Sequence, residues 1–417
     1  MNNEFLPPRG ARHNTSIRPQ TDIDWSKPDP SQSIFQTPEA IAAQEEQEAH
    51  PSSSGPIIGH HGAPKRSLKE RLKAITKKQW IIIGIVAAML LVGGGFALYN
   101  FVLKDDPKPV IIKKKEEKKA PPVPTTVPST LTGLPVDPSI NERSVTAVMI
   151  ENSLDARPQS GLNEAGVVFE AIAEGGITRF LTLFQDTEPD YIGPVRSVRP
   201  YYVQWALGFD APVAHVGGSA DALALVRANK DLDQFFNPGP YWRVSTRVAP
   251  HNMYSSIPKL RQRSIEKGWS KSNYTGLARK PKEAPSPATT ARTIDFNVSS
   301  ARYNVHYDYD PATNNYLRSE GGAPHTDERT GAQINPKVVV ALIVPQGRNG
   351  IYTTYNTLGN GAAFIFQDGI VTQGTWSKSS NASQFTFKDT SGAELKLNPG
   401  RTWFTVLGGA DRVAYQP

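Results

Sequence analysis

Three arginines, Arg179, Arg196 and Arg199, stand close together in a region otherwise balanced in charge. Arg196 and Arg199 lie in GPVRSVRP, directly ahead of Pro200, a residue suited to the first turn of a helix. Guanidiniums beside the positive end of a helix favour an anion. Downstream, Gly217, Gly218 and Ser219 read as a strand-to-helix turn whose backbone N–H groups offer a second place for a phosphate or carboxylate. His215 closes the preceding strand, where open α/β sheets place their ligands. His251, in PHN, belongs to a loop after an extended pre-proline residue. With Glu174, the two histidines would suit general acid/base work. The residues therefore point to two chemistries: capture of an anion, and hydrolysis by a carboxylate–histidine pair.

Each motif also has an ordinary structural explanation. Arginines in such strings pair with carboxylates, here Glu170 or Glu174. A Gly-Gly-Ser sequence is commonly a turn and nothing more, and Ser219 lacks the second glycine of a nucleophile elbow. Histidines in loops and strand ends form local hydrogen bonds. His306, His325 and Asp327 have no metal-ligand spacing, so no metal site is expected. The chain has no cysteine, which excludes disulfides and thiolate chemistry, and no cofactor motif is read. The aromatic set Tyr303, Tyr307, Tyr309, Tyr316, Tyr352, Tyr355, Trp376 and Trp403 could stack on sugar rings, but strand aromatics usually fill a core.

The elements that must position these groups are legible as runs. VTAVMIEN (145–152), GVVFEAIAE (166–174), RFLTLFQD (179–186) and APVAHVG (211–217) read as strands. Helices fit from Pro200 to about Leu207 and through Ala220–Ala228, the latter capped by Ser219. This mixture predicts an α/β or α+β first domain over 131–280. A proline-rich linker, 281–292, leads to short alternating runs over 293–417, which predict a second, mainly antiparallel β domain built of hairpins as a small barrel or sandwich.

Residues 1–64 are poor in apolar runs, and 1–79 as a whole reads as a disordered cytoplasmic tail ending in a basic segment. From Trp80 to Leu103 the chain carries 24 residues without a charge, long enough for a single transmembrane helix across a core of about 30 Å. Lysines balance on the two sides, so charge alone does not fix orientation. Lys77 and Lys78 abut the segment uncompensated, while Asp105 and Asp106 follow Lys104, which favours a cytoplasmic N-terminus. Lys65 to Lys78 also reads as a basic amphipathic helix against the lipid bilayer. Residues 104–130 read as a charged, proline-rich stalk. Residues 120–417 hold 28 basic and 26 acidic side chains, so the pI near 9.3 belongs to the segments beside the membrane and a nucleic-acid partner is excluded.

The strings ARPQSGLNEAGVVFEAIAEGGITRFLTLFQ, GPVRSVRPY, HVGGS and APHNMY, in that order, resemble the YerB-like family of bacterial cell-envelope proteins, a domain of unknown function. The resemblance spans about 131–417. It implies globular domains outside the cytoplasm, tethered to the cell membrane; the arginine cluster in that setting points to an anionic cell-wall polymer as partner, with an envelope protein as the alternative. The lipoprotein form of the family needs a cysteine that this chain lacks, so the transmembrane helix replaces the lipid. Three functions follow as expectations: binding of an anionic envelope ligand, an envelope hydrolase, or a structural partner in a membrane complex.

Overall fold

Strands whose residues are apolar on both faces must lie in the middle of a sheet, and the computed structural model, which describes residues 77–102 and 125–417, places them there. The strands used below are β1 (Thr146–Glu151), β2 (Val167–Glu174), β3 (Ile177–Phe184), β4 (Val213–His215), β5 (Asp231–Asp233), β6 (Thr293–Phe296), β7 (Val305–Asp310), β8 (Asn315–Glu320), β9 (Ala323–Pro324), β10 (Val338–Ile343), β11 (Gly359–Gln367), β12 (Ile370–Lys378), β13 (Thr386–Asp389), β14 (Thr402–Leu407) and β15 (Val413–Gln416). The helices are α1 (Lys77–Val102), α2 (Pro200–Leu207), α3 (Ala220–Arg227) and α4 (Ile257–Glu266).

A mixed sheet runs β13-β12-β11-β10-β14-β2-β3-β1-β4-β5. It joins strands from both sides of residues 281–292, and residues Ala120–Pro417 form one compact unit. The later region is mainly antiparallel, yet its strands do not close into a barrel of their own. β10 (VVVALI) and β14 (TWFTVL) are buried almost throughout, so neither can serve as a half-exposed hairpin strand. They pair in parallel with each other, and β14 pairs in parallel with β2. The proline-rich stretch 281–292 is tied to the unit, since Ala284 N donates to Asp368 Oδ1 at 3.2 Å and Ser286 N to Asp368 O at 3.0 Å.

One face of the sheet packs under α2, where Phe169 stacks on Phe404 at 4.6 Å and on Trp205 at 5.3 Å. The other face, with Val148, Ile150, Phe180 and Trp403, packs against Ile257 and Leu260 of α4. A second sheet, β9-β8-β7-β6-β15, covers Val339, Ala341 and Phe366 with Ile294, Phe296 and Tyr307. Tyr307, Tyr316, Trp376 and Trp403 are all fully buried core residues.

α1 is described by itself. Ile81, Ile82, Ile85, Met89, Leu90 and Leu91 are exposed on it. Among the described residues no helix is long and apolar enough to cross a membrane, so the structure does not establish the span expected at 80–103. The tail and basic segment before Lys77, and residues 103–124 of the stalk, lie outside the described residues.

Candidate functional site

The arginines meet where β1, β2 and β3 end together. Glu151 closes β1 opposite Arg179 on β3, and a register irregularity after Ile172 shifts Glu174 relative to the rest of β2. Two tyrosines of α2 hold this end: Tyr201 Oη donates to Ile172 O at 2.7 Å, and Tyr202 Oη to Ala171 O at 2.8 Å. The segment carrying Arg196 and Arg199 runs beside β1, with Arg196 N donating to Met149 O at 2.9 Å. The loop of His251 closes the far side through Val195 N to Met253 O at 2.7 Å.

Glu174 accepts from Arg179 Nη2, and from Arg199 Nη2 at 2.7 Å. Burial works against its charge, but the two arginines and their hydrogen bonds outweigh this and hold the carboxyl below its ordinary range. Arg199 also lies over the ring of Tyr352 at 4.6 Å, on a hairpin strand that pairs with β2. Arg179 and Arg199 are thus structural cations in the expected sense, with Glu174 as partner. Glu170 instead pairs with Arg318.

Arg196 differs from both. Its Nε lies 3.5 Å from Glu151, an ion pair without a hydrogen bond, and the side chain is 26 % exposed. Burial lowers its pKa, and Arg179 and Arg199 add like-charge repulsion against the pull of Glu151 and Glu174. Three guanidiniums here face two carboxylates, and Arg196 is the one with donors to spare.

His251 joins this cluster through Glu151, 3.0 Å from its Nδ1, and Ser153 Oγ lies 3.2 Å from the same nitrogen. A nucleophilic relay needs acid and nucleophile on opposite ring nitrogens, so serine, histidine and glutamate are not arranged as a triad. His215 is fully buried and faces elsewhere: Nδ1 is 2.8 Å from Gly217 O and Nε2 is 3.0 Å from Asp231. Among the described residues neither Glu170 nor Glu174 pairs with His215 or His251.

The turn at Gly217, Gly218 and Ser219 precedes α3 as expected, but carboxylates surround it. Gly217 N donates to Asp233 at 3.4 Å, and Asp221 stands in the first turn of the helix. Ser219 occupies the cap position without a side-chain capping bond, and among the described residues its buried Oγ has no other partner. Gly217 does need its glycine, with φ at +64°. His306 is a surface residue between Asp295 and Asp308, which raise its pKa against the effect of burial, and Asp327 caps its own loop through Arg329 N and Thr330 N while its other oxygen accepts from the distant Gly161 N.

Sequence reasoning missed Glu151, Ser153, Arg157, Arg318 and Glu320. A signal existed for two of them: alternation in NYLRSE puts Arg318 and Glu320 on the face of Tyr316, which is the buried one.

Models of the protein family described as "Protein of unknown function (DUF3048)" match the chain, its N-terminal domain over residues 131–270 and its C-terminal domain over 294–404. A Bacillus subtilis (strain 168) protein named "Putative lipoprotein YerB" is 33% identical over 294 residues, covering 67% of this chain and 86% of that protein. The crystal structure of the Bacillus subtilis YerB protein superposes with a TM-score of 0.63 at 29% identity, over 70% of this chain and 100% of that one.

Proposed function

The chain belongs to the DUF3048 family, and from that premise we propose that it is a membrane-anchored protein of the bacterial cell envelope whose globular unit, outside the cytoplasm, binds an anionic ligand at Arg196. The observation that carries the reading is the surplus guanidinium: Arg179 and Arg199 are neutralised by Glu174, whereas Arg196 is partly exposed and its side chain makes no hydrogen bond among the described residues. A phosphate or carboxylate there would take two parallel N–H bonds in a partly dehydrated setting. The lipoprotein name of the relative supports the envelope location. With no cysteine in this sequence, the apolar segment 80–103 serves as a single-pass anchor, its exposed isoleucines and leucines facing lipid.

The test is binding of poly(glycerol phosphate), a wall-type anionic polymer, to the full chain in detergent micelles. Arg196→Gln should weaken binding about tenfold, in line with about 1.5 kcal/mol for a charge-assisted hydrogen bond. Unchanged affinity in Arg196→Gln would remove the reading.

A further inference from the structure

A second site lies on the other side of residues 151–157. A cavity of about 350 Å³ opens between Leu154, Arg157 and Pro158 and the β8–β9 turn, with Glu320 and His325 at its base and Arg302 at its mouth. That volume falls in the range of roughly 300–1,000 Å³ typical of small-molecule sites.

The base holds an unresolved hydrogen-bonding problem. Gln159 Nε2 donates to Glu151 O and Asn152 Oδ1, so its Oε1 must accept, and His325 Nε2, 2.8 Å away, carries the proton it donates there. The other nitrogen of the neutral ring, Nδ1, then presents a lone pair to Glu320 Oε2 at 3.5 Å. Both atoms are buried and neither has a hydrogen-bond partner. Glu320 Oε1 is fully engaged by Asn152 Nδ2 at 2.7 Å and Arg157 at 3.1 Å. Two acceptors facing each other require a hydrogen between them, supplied either by protonated Glu320 or by a donor from outside.

At the mouth, Arg157 keeps a single Nη1 hydrogen, since its other four N–H groups donate to Asn152 and Arg302 O and face Glu320, so it offers no fork. Its charge, held over the Tyr303 ring at 5.1 Å, still acts on the cavity. Arg302 is exposed and, among the described residues, forms no hydrogen bond through its side chain. One open planar fork matches a carboxylate better than a doubly charged phosphate, which would call for a second free cation.

We propose that this cavity binds a small hydroxylated carboxylate, its carboxylate at Arg302 and one hydroxyl donated to Glu320, whose buried Oε2 turns from His325 towards the cavity to accept it. Burial pushes Glu320 up to about 7, with Glu170 adding to the rise and Arg318 and Arg157 opposing it. Tyr303 and Tyr307 are its other titratable neighbours, and both stay neutral because burial raises them. His325 stays neutral because burial, Arg318 and Arg157 all disfavour its charged form. A ligand hydroxyl must displace the proton of Glu320, so binding releases it and tightens as pH rises toward and through about 7, approaching tenfold per pH unit below that value.

The test titrates D-glucuronate into the full chain in detergent micelles, by calorimetry and by ¹⁵N-histidine NMR, with D-glucose and acetate as arms lacking one feature each. Expected are saturable glucuronate binding with a shift of the His325 Nδ1 signal, and affinities at least about tenfold weaker for glucose, for acetate and for glucuronate with Arg302→Ala. Glu320→Gln should abolish the pH dependence, with circular dichroism checking its fold; the exposed Arg302→Ala variant decides the matter if Glu320→Gln does not fold. Arg196→Gln should leave glucuronate binding unchanged, which separates this site from the polymer site proposed above. No saturable binding of glucuronate, equal binding of glucose, or indifference to Arg302→Ala would overturn the proposal.

Discussion

Replacing Glu170 by glutamine keeps the shape of the side chain and removes one of two carboxylates around a fully buried guanidinium. Arg318 Nη2 lies 2.9 Å from both oxygens of Glu170, whose Oε2 also accepts from Trp403 Nε1 at 3.1 Å. Both side chains of the pair have zero exposure, so no water can replace the lost charge. Breaking such a pair from one side costs about 3–5 kcal/mol. Glu320, 3.7 Å from Arg318, can take over as counter-ion only when ionised. In the wild type burial raises its pKa to about 7, so the folded state holds this proton more tightly than the unfolded chain. That contribution to stability is fully present below the unfolded value of about 4.5 and is lost as pH rises to about 7. Without the charge of Glu170 the folded value falls, so the variant should lose less stability over that interval than the wild type. Arg318→Met should also cost about 3–5 kcal/mol, because it leaves Glu170 buried and unpaired. The double variant Glu170→Leu/Arg318→Met should cost less than the sum of the matching single variants by about 2 kcal/mol or more. Urea unfolding of residues 120–417, followed by circular dichroism at pH 5 and pH 8, measures all of these. Single-variant costs that add to within about 0.5 kcal/mol would refute the coupling.

Residues 120–417 should be soluble without detergent, reductant or oxidant, because all three hydrophobic clusters lie within them and the sequence has no cysteine; a fragment that needs detergent would place a membrane contact inside the unit. Gly374→Ala should destabilise by about 1–3 kcal/mol or more, since its Cβ would fall 2.1 Å from Lys388 O. Gly217→Ala meets no atom within 4 Å and carries only the cost of its positive φ, about 1–2 kcal/mol. Thermal melts that leave Gly374→Ala near wild-type stability would contradict the clash. Protease added to cells with only the outer barrier opened should degrade residues 120–417 and spare an epitope on 1–64; the reverse pattern would place the globular unit in the cytoplasm.

Local signals survive in the sequence where a single element decides them, and fail where a distant partner decides. Pro200 marks the start of α2 because first-turn chemistry is local, and Ser219 stands at the cap position of α3 although it makes no capping bond. Asn315–Glu320 and Ile370–Lys378 are legible as strands for the same reason. No local feature of TWFTVL, however, says that it slots between β10 and β2, joining strands far apart in sequence. The site divides in the same way. That Arg179 or Arg199 would find Glu174 follows from a strand pair and a neighbouring helix start, all within one sequence region. That His251 belongs to Glu151 requires a loop about a hundred residues away to fold back over β1, and that Glu320 meets Asn152 and Arg157 requires the second sheet to dock on the first. A charged residue in phase with buried aromatics is nevertheless a long-range statement written locally. Arg318 and Glu320 sit on the inward face with Tyr316, and a buried charge must have a partner from elsewhere in the fold. Read this way, the alternation of NYLRSE announces a buried ionic contact even though it cannot name Glu170 as the other half.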